Sequence, residues 1–317
     1  MIDPESQEFL DRVKEINTPP IDQLTPQGAR DVAKQFEKIS WWDANVPVEI
    51  RDMAIPGGGS SSPLPVRVFT PEDGGKSGAL PVLVYFHGGG FVLGGHADPE
   101  INSTCSFLAD AVPCVVVSVG YRLAPEHKFP AAVEDAYSAL RWVAENGYLL
   151  HADVGRIAVG GDSAGGNIAA VVCLMARDRR GPRIALQVLV YPVIDHSFET
   201  ASYRELGEGF GLSTEEMKWY WNHYLTTHED GKKPYASPLR DENLGGLPPA
   251  LVIVAGYDPL KDEAEAYGVR LEQAGVPTTV VRYDGAIHGF FTLPFGGKAR
   301  LDAATELRKA FSPTAGP

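Results

Sequence analysis

The chain has 317 residues, 44% of them apolar, and carries a formal charge of −13 at pH 7. That length can bury one large core, and α/β enzymes of this size often form a single domain. The acidic balance is spread along the chain with no basic cluster, which excludes a nucleic-acid footprint and describes a solvated surface.

The opening Met1-Ile2-Asp3-Pro4-Glu5-Ser6 is acidic where a signal peptide would be basic and then apolar. Asp3-Pro4 offers an N-cap followed by proline at the first helical position, and Phe9, Val13 and Ile16 recur at helical spacing. Thr25-Pro26 repeats that start, with Val32, Phe36 and Ile39 on one face, so two amphipathic helices are predicted. Residues 48–55 and 66–69 then read as strands, separated by Gly57-Gly58-Gly59 and serines. That glycine run lacks the lysine and following helix of a phosphate loop and is expected to be a flexible turn.

Beyond it, residues 81–86, 114–119, 156–159, 186–191 and 250–255 are short continuous apolar runs, the pattern of buried strands in a mostly parallel sheet. Helical stretches lie between them, including 131–146, closed by Gly147, and 260–274, closed by Gly275. Residues 278–283 supply a last strand. The fold class predicted is α/β: an eight-stranded, mostly parallel sheet flanked by helices on both faces, in one domain over 1–317. Cys105, Cys114 and Cys173 lie in apolar stretches and form no C-x-x-C pair, so buried free thiols in a reducing, cytoplasmic setting are expected. No apolar run approaches the roughly 18 residues that would span a bilayer, so no membrane insertion is expected.

One segment interrupts the alternation. Between Pro192 and Pro248 no strand is predicted, but Ser213-x-x-Glu216 is a capping box that opens a helix. Met217, Tyr220, Trp221 and Tyr224 fall on one face of it, either as ordinary packing or as the border of a substrate pocket. In the second case this helix and the N-terminal pair form a cap, built from about 1–45 and 195–235.

Gly161-Asp162-Ser163-Ala164-Gly165 follows a strand directly and opens a helix containing Ile168, Val171, Val172 and Met175. A serine between strand and helix occupies a sharp turn that exposes its hydroxyl at the carboxyl edge of the sheet, with a helix N-terminus behind it. A serine hydroxyl needs a base to accept its proton. Of eight histidines, His288 sits just after the last strand, where its loop returns to that edge. His223 and His228 are five residues apart and do not stack on one helical face, which also weakens any zinc site; His127 and His151 lie in predicted loops. The base needs a carboxylate to fix its tautomer. Asp258 follows the strand ending Val254-Ala255-Gly256-Tyr257, with simple capping of the next helix as its alternative role, while Asp262 and Glu263 fall inside that helix and are expected to be solvated. His87-Gly88-Gly89-Gly90 follows another strand, and its amides with that of Ala164 would make an oxyanion hole, each donor worth ~3 kcal/mol. His87 reads as an orienting group for this loop.

Together these residues resemble the hormone-sensitive-lipase-like family of α/β-hydrolases, the bacterial family IV carboxylesterases. The stretches that carry the resemblance are His87-Gly88-Gly89-Gly90-Phe91-Val92, Tyr121-Arg122-Leu123-Ala124-Pro125-Glu126, Gly161-Asp162-Ser163-Ala164-Gly165-Gly166-Asn167, Asp258-Pro259-Leu260-Lys261-Asp262-Glu263 and His288-Gly289-Phe290. The resemblance implies an α/β-hydrolase fold with a helical cap, Ser163 as nucleophile, His288 as base and Asp258 as acid. It implies oxyanion donors at Gly89, Gly90 and Ala164, with Gly88 in the same loop, and a structural role for 121–126. The activity it implies is hydrolysis of short-to-medium acyl esters through an acyl-enzyme, with a small-molecule ester as partner and no metal or organic cofactor. An amide hydrolase or deacetylase would use the same triad. A non-catalytic small-molecule receptor is the remaining alternative, but receptors of this resemblance have lost the histidine that is present here as His288. Tyr191, Trp219, Trp221 and Phe291 are expected as pocket walls, with core packing the alternative for each, and the strand at 278–283 as the edge of a homodimer.

Overall fold

The computed structural model describes residues 1–36, 46–59, 62–72 and 78–312; Ile39, the rest of the first cap segment, and Ser60 and Ser61 lie outside them. Strands β1 (Val48–Pro56), β2 (Pro63–Pro71), β3 (Leu80–Phe86), β4 (Val115–Val119), β5 (Ala152–Asp162), β6 (Leu186–Val190), β7 (Ala250–Tyr257) and β8 (Thr278–Ile287) form one sheet in the order β1-β2-β4-β3-β5-β6-β7-β8. The β1–β2 and β2–β4 pairings are antiparallel and the others parallel. The sheet has the eight, mostly parallel strands expected.

Side-chain alternation explains why the central strands read as unbroken apolar runs. Val82 and Val84 face one core layer with Ile168 and Leu140, while Leu83 and Tyr85 face the other with Leu108 and Leu307. Helices α4 (Ala131–Asn146), α5 (Ala164–Asp178) and α8 (Lys261–Gln273) cover the first face; α3 (Pro99–Ala111) and α9 (Gly297–Phe311) cover the second. Both sides of the central strands β3, β4 and β6 are therefore dry, and each fully buried branched side chain contributes about 1.5–3 kcal/mol. Among the described residues, no helix is long and apolar enough to cross a membrane.

One turn expectation holds and one is corrected. α4 ends at Asn146 with Gly147 as its C-cap, as expected; at φ −54° Gly147 leads into the tighter turn Gly147–Leu150, and His151 is the left-handed residue at φ 51°. A side chain at Gly147 would strike Val154, so the chains approach closely there. Gly58, by contrast, is not a free turn residue. Its N–H donates to Asp135 Oδ1 at 3.0 Å, its carbonyl accepts from Arg122 at 2.8 Å, and a Cβ would collide with Glu134. Asp135, with its side chain 1% exposed, also accepts from the Arg122 backbone and guanidinium at 2.7–3.1 Å. Removing one partner of such a buried pair typically costs about 3–5 kcal/mol, because the other charge is left uncompensated.

The strand-free regions hold α1 (Pro4–Ile16), α2 (Pro26–Phe36), α6 (Ala201–Leu206) and α7 (Thr214–Tyr224). The capping box of α7 is formed in full: Glu216 N–H donates to Ser213 Oγ at 3.1 Å, and Ser213 N–H to Glu216 Oε2 at 2.8 Å. At α1, Asp3 occupies the N-cap, but its backbone N–H bonds Gly285 at 2.9 Å, docking the helix on the end of β8.

Candidate active site

Strand β5 ends at Asp162 and α5 begins at Ala164, leaving Ser163 alone in the turn at φ 56° and ψ −118°. That conformation costs a non-glycine residue about 1–3 kcal/mol. It is held by the surrounding backbone: Ser163 N–H donates to Val190 at 2.8 Å, and Ser163 C=O accepts from Asn167 at 3.1 Å and Val193 at 3.2 Å. A Cβ on Gly161 would meet Gly165, and one on Gly165 would meet the Phe86 carbonyl of β3. The two glycines flanking the serine are thus required by close backbone approach.

Asp258 directly follows β7, and His288 directly follows β8. The three side chains, separated by up to 125 residues in sequence, meet at the carboxyl edge of the sheet. His288 Nδ1 lies 2.7 Å from Asp258 Oδ2, and His288 Nε2 lies 2.9 Å from Ser163 Oγ. A carboxylate only accepts, so Nδ1 carries the proton and Nε2 is left to accept from the serine hydroxyl. Asp258 is fully buried, its other oxygen accepts the Leu260 N–H at 2.9 Å, and the Tyr191 ring packs on the imidazole at 4.7 Å between centroids.

Opposite, the glycine loop after β3 turns through left-handed conformations at Gly89 (φ 106°) and Gly90 (φ 59°). Gly90 lies against the Tyr220 ring of α7, where any side chain would collide. The N–H groups of Gly89, Gly90 and Ala164 are not used by any other hydrogen bond among the described residues. His87 braces the loop: its Nδ1 lies 2.7 Å from Gly88 O, its ring stacks on Tyr121 at 4.3 Å, and Tyr121 Oη donates to its carbonyl at 2.7 Å. Burial pulls its imidazole down to about 4, so it is neutral at pH 7.

Ser163, His288 and Gly88–90 open on a cavity of about 460 Å³, walled on its outer side by α2 and α7. That volume lies in the usual range for a small-molecule site.

A family model described as an alpha/beta hydrolase fold matches residues 83–292. The chain belongs to the α/β-hydrolase family. Within it, the chain falls in the hormone-sensitive-lipase-like branch. It is 39% identical over 280 residues to an esterase, LipI, of Mycobacterium tuberculosis, covering 88% of this chain and 85% of the relative. A thermostable esterase structure from Pseudomonas putida superimposes with a TM-score of 0.92 at 38% identity, covering 98% of both chains. A hyperthermophilic esterase from Pyrobaculum calidifontis gives 0.90 at 42% identity, over 97% of this chain and 98% of that one.

In this hydrolase only one of the four pocket residues expected from sequence lines the cavity. Tyr191 does; Trp219, Trp221 and Phe291 do not. Trp221 is 1% exposed and packs on Phe91, Tyr224 and His196. Trp219 points away and donates its indole N–H to the Leu24 carbonyl at 3.2 Å, and Phe291 is sealed in the core beside α9. The lining from α7 is Met217 and Tyr220, one helical turn apart on the face already marked by its apolar spacing. Leu212 joins them, and no sequence pattern marked it. Nor are the two acids of α8 solvated as expected: Asp262 accepts from Ser202 N–H at 2.8 Å, and Glu263 is 2% exposed and accepts from Ile194 N–H at 2.7 Å. Burial pushes the Glu263 carboxyl well up.

Asp162 lines the cavity beside the nucleophile and accepts from Tyr85 Oη at 2.8 Å. Burial raises its carboxyl to about 6 from an ordinary value of 3.8. A raised carboxyl binds its proton more tightly in the native state than in the unfolded chain, so stability falls as pH climbs through roughly 4 to 6 and stays lowered above. Asp162→Asn, which removes that buried charge, is expected to raise unfolding free energy by about 2 kcal/mol at pH 8 and by little at pH 4. Urea titrations at the two pH values check this; an equal effect at both would exclude the charge as the cause.

Proposed function

We propose that the protein is a serine carboxylesterase acting on small-molecule esters of short-to-medium acyl chains. The observation that carries this reading is the unbroken hydrogen-bond chain from Asp258 through His288 to Ser163, ending on a cavity with uncommitted backbone donors. Ser163 Oγ attacks the ester carbonyl while its proton passes to His288 Nε2, and buried Asp258 stabilises the imidazolium. The carbonyl oxygen takes up negative charge against the N–H groups of Gly89, Gly90 and Ala164, with Gly88 a neighbour in the same loop. Collapse of the tetrahedral species expels the alcohol, which leaves with the His288 proton. Water then repeats the sequence on the acyl-enzyme and releases the acid. Substrate, water and these groups account for every bond and proton in the cycle.

The helices α2 and α7, which fall in the segments 1–45 and 195–235 expected as a cap, act as one in this reading, because they wall the cavity over Ser163. A cavity of about 460 Å³ favours short and medium acyl chains. β8 ends the sheet with one open edge, which supports dimer formation along it. Three free, buried cysteines suit a cytoplasmic setting. The test is a kcat/KM series on p-nitrophenyl esters from acetate to long acyl chains. Turnover is expected to peak at short or medium length; absence of turnover with every ester would overturn the proposal.

A further inference from the structure

The wall of the cavity formed by α2 is seated by side chains: Ala29 and Val32 are buried, and Ala29 packs into the main core with Ala33 against it. Its most bonded side chain is Arg30, 21% exposed, which also lines the cavity. Arg30 Nε donates to the Val92 carbonyl at 3.0 Å and Nη2 to the Ala124 carbonyl at 2.9 Å. Nη1 and Nη2 also grip the two oxygens of Glu126, each at 2.7 Å. Both carbonyls belong to the support of the glycine loop: Val92 N–H bonds Gly89 O at 3.1 Å, and Ala124 N–H bonds Phe91 O at 2.9 Å. One planar cation therefore ties an outer wall of the cavity to the loop that presents the Gly89 and Gly90 amides. A rigid guanidinium fork can satisfy all these acceptors together, whereas a lysine ammonium is a single point charge on a flexible stem. The Arg30 hydrogen bonds pull Glu126 down to about 2, so the pair stays ionised across the working range.

We propose that Arg30 is a positioning residue that holds α2 against the glycine loop through Val92, Ala124 and Glu126, and thereby sets how well the cavity retains an ester. This rests on the esterase reading above. Arg30 has no hydrogen bond to Ser163 or His288, and the glycine loop keeps its own backbone bonds from Val92 to Gly89 and from Ala124 to Phe91 without it, so the larger effect belongs on binding and the smaller on the bond-making step.

The test uses the full chain carrying Arg30→Met, Arg30→Lys or Glu126→Gln. KM and kcat for p-nitrophenyl butyrate are measured alongside amide hydrogen exchange. Arg30→Met is expected to raise KM about 10-fold with kcat within about 3-fold of wild type, the pattern of lost ground-state binding. Exchange across residues 26–36 should quicken by about 10-fold or more, with β3 and β5 unchanged. Glu126→Gln should fall between, and Arg30→Lys should recover KM only in part. Because Glu126 is half exposed, wild-type KM should rise between about 0.05 and 0.5 M NaCl, and that of Arg30→Met should not. Unchanged KM and exchange in Arg30→Met would overturn the proposal, as would faster exchange spread evenly through the sheet, which marks a merely structural role. If wild type hydrolyses no ester, the esterase reading fails, while exchange at 26–36 still decides whether Arg30 holds the helix.

Discussion

Ser163→Ala is expected to lower ester turnover by at least about 10⁴-fold while leaving the fold and its melting temperature nearly unchanged. The loss is large because no other hydroxyl can substitute: the turn delivers this one side chain to His288 Nε2 at 2.9 Å. The fold survives because the turn is held by backbone hydrogen bonds to Val190, Asn167 and Val193, all of which alanine keeps. Alanine also bears the same backbone strain at φ 56°, so the substitution neither relieves nor adds to it. Residual catalysis from oxyanion donors alone should remain measurable above the uncatalysed rate. Rates on p-nitrophenyl esters, with circular dichroism and thermal melts in parallel, check both halves of the statement. Activity within about 10-fold of wild type would remove Ser163 from the chemistry.

Asp258→Asn carries the second large effect, a fall of about 10⁴-fold in kcat with little change in KM. The carboxylate is fully buried and accepts a hydrogen bond from His288 Nδ1 at 2.7 Å. Asparagine is nearly isosteric and can still accept the Leu260 N–H, so the loop after β7 should hold. Its NH₂ group, however, would face Nδ1 as a donor. The imidazole would then carry its proton on Nε2, and could no longer accept from Ser163. Asp262 and Glu263 cannot take over, since each is bonded to a different backbone amide, Ser202 and Ile194. Steady-state kinetics at pH 8 with a matched thermal melt separate a tautomer defect from unfolding. A drop smaller than about 10-fold would mean that another group orients the histidine.

The chemistry was legible in the sequence because its signals are local. A five-residue turn between an apolar run and a helix announces Ser163, and Asp258 and His288 each follow a strand within a few residues. A parallel sheet brings the carboxyl ends of its strands to one edge, so those three positions meet whatever the details of packing. The pocket walls were not legible in the same way. Trp219 and Trp221 attract notice as large aromatics, while the apolar face of α7 held Met217, Tyr220, Trp221 and Tyr224 alike, and only the lining of the cavity separates Met217 and Tyr220 from Trp221.

What the sequence determined by itself was the eight strands, several of the helices, the capping box at Ser213 and the elbow around Ser163, each set by spacing within a few residues. What only the tertiary structure decided was the placement of β4 between β2 and β3, the burial of Glu263, the pinning of Gly58, and the reach of Arg30 to partners 62, 94 and 96 residues away. The physical reason is range. Backbone propensity and side-chain periodicity act along the chain, whereas contacts between distant segments depend on packing angles and desolvation that exist only once the core has formed.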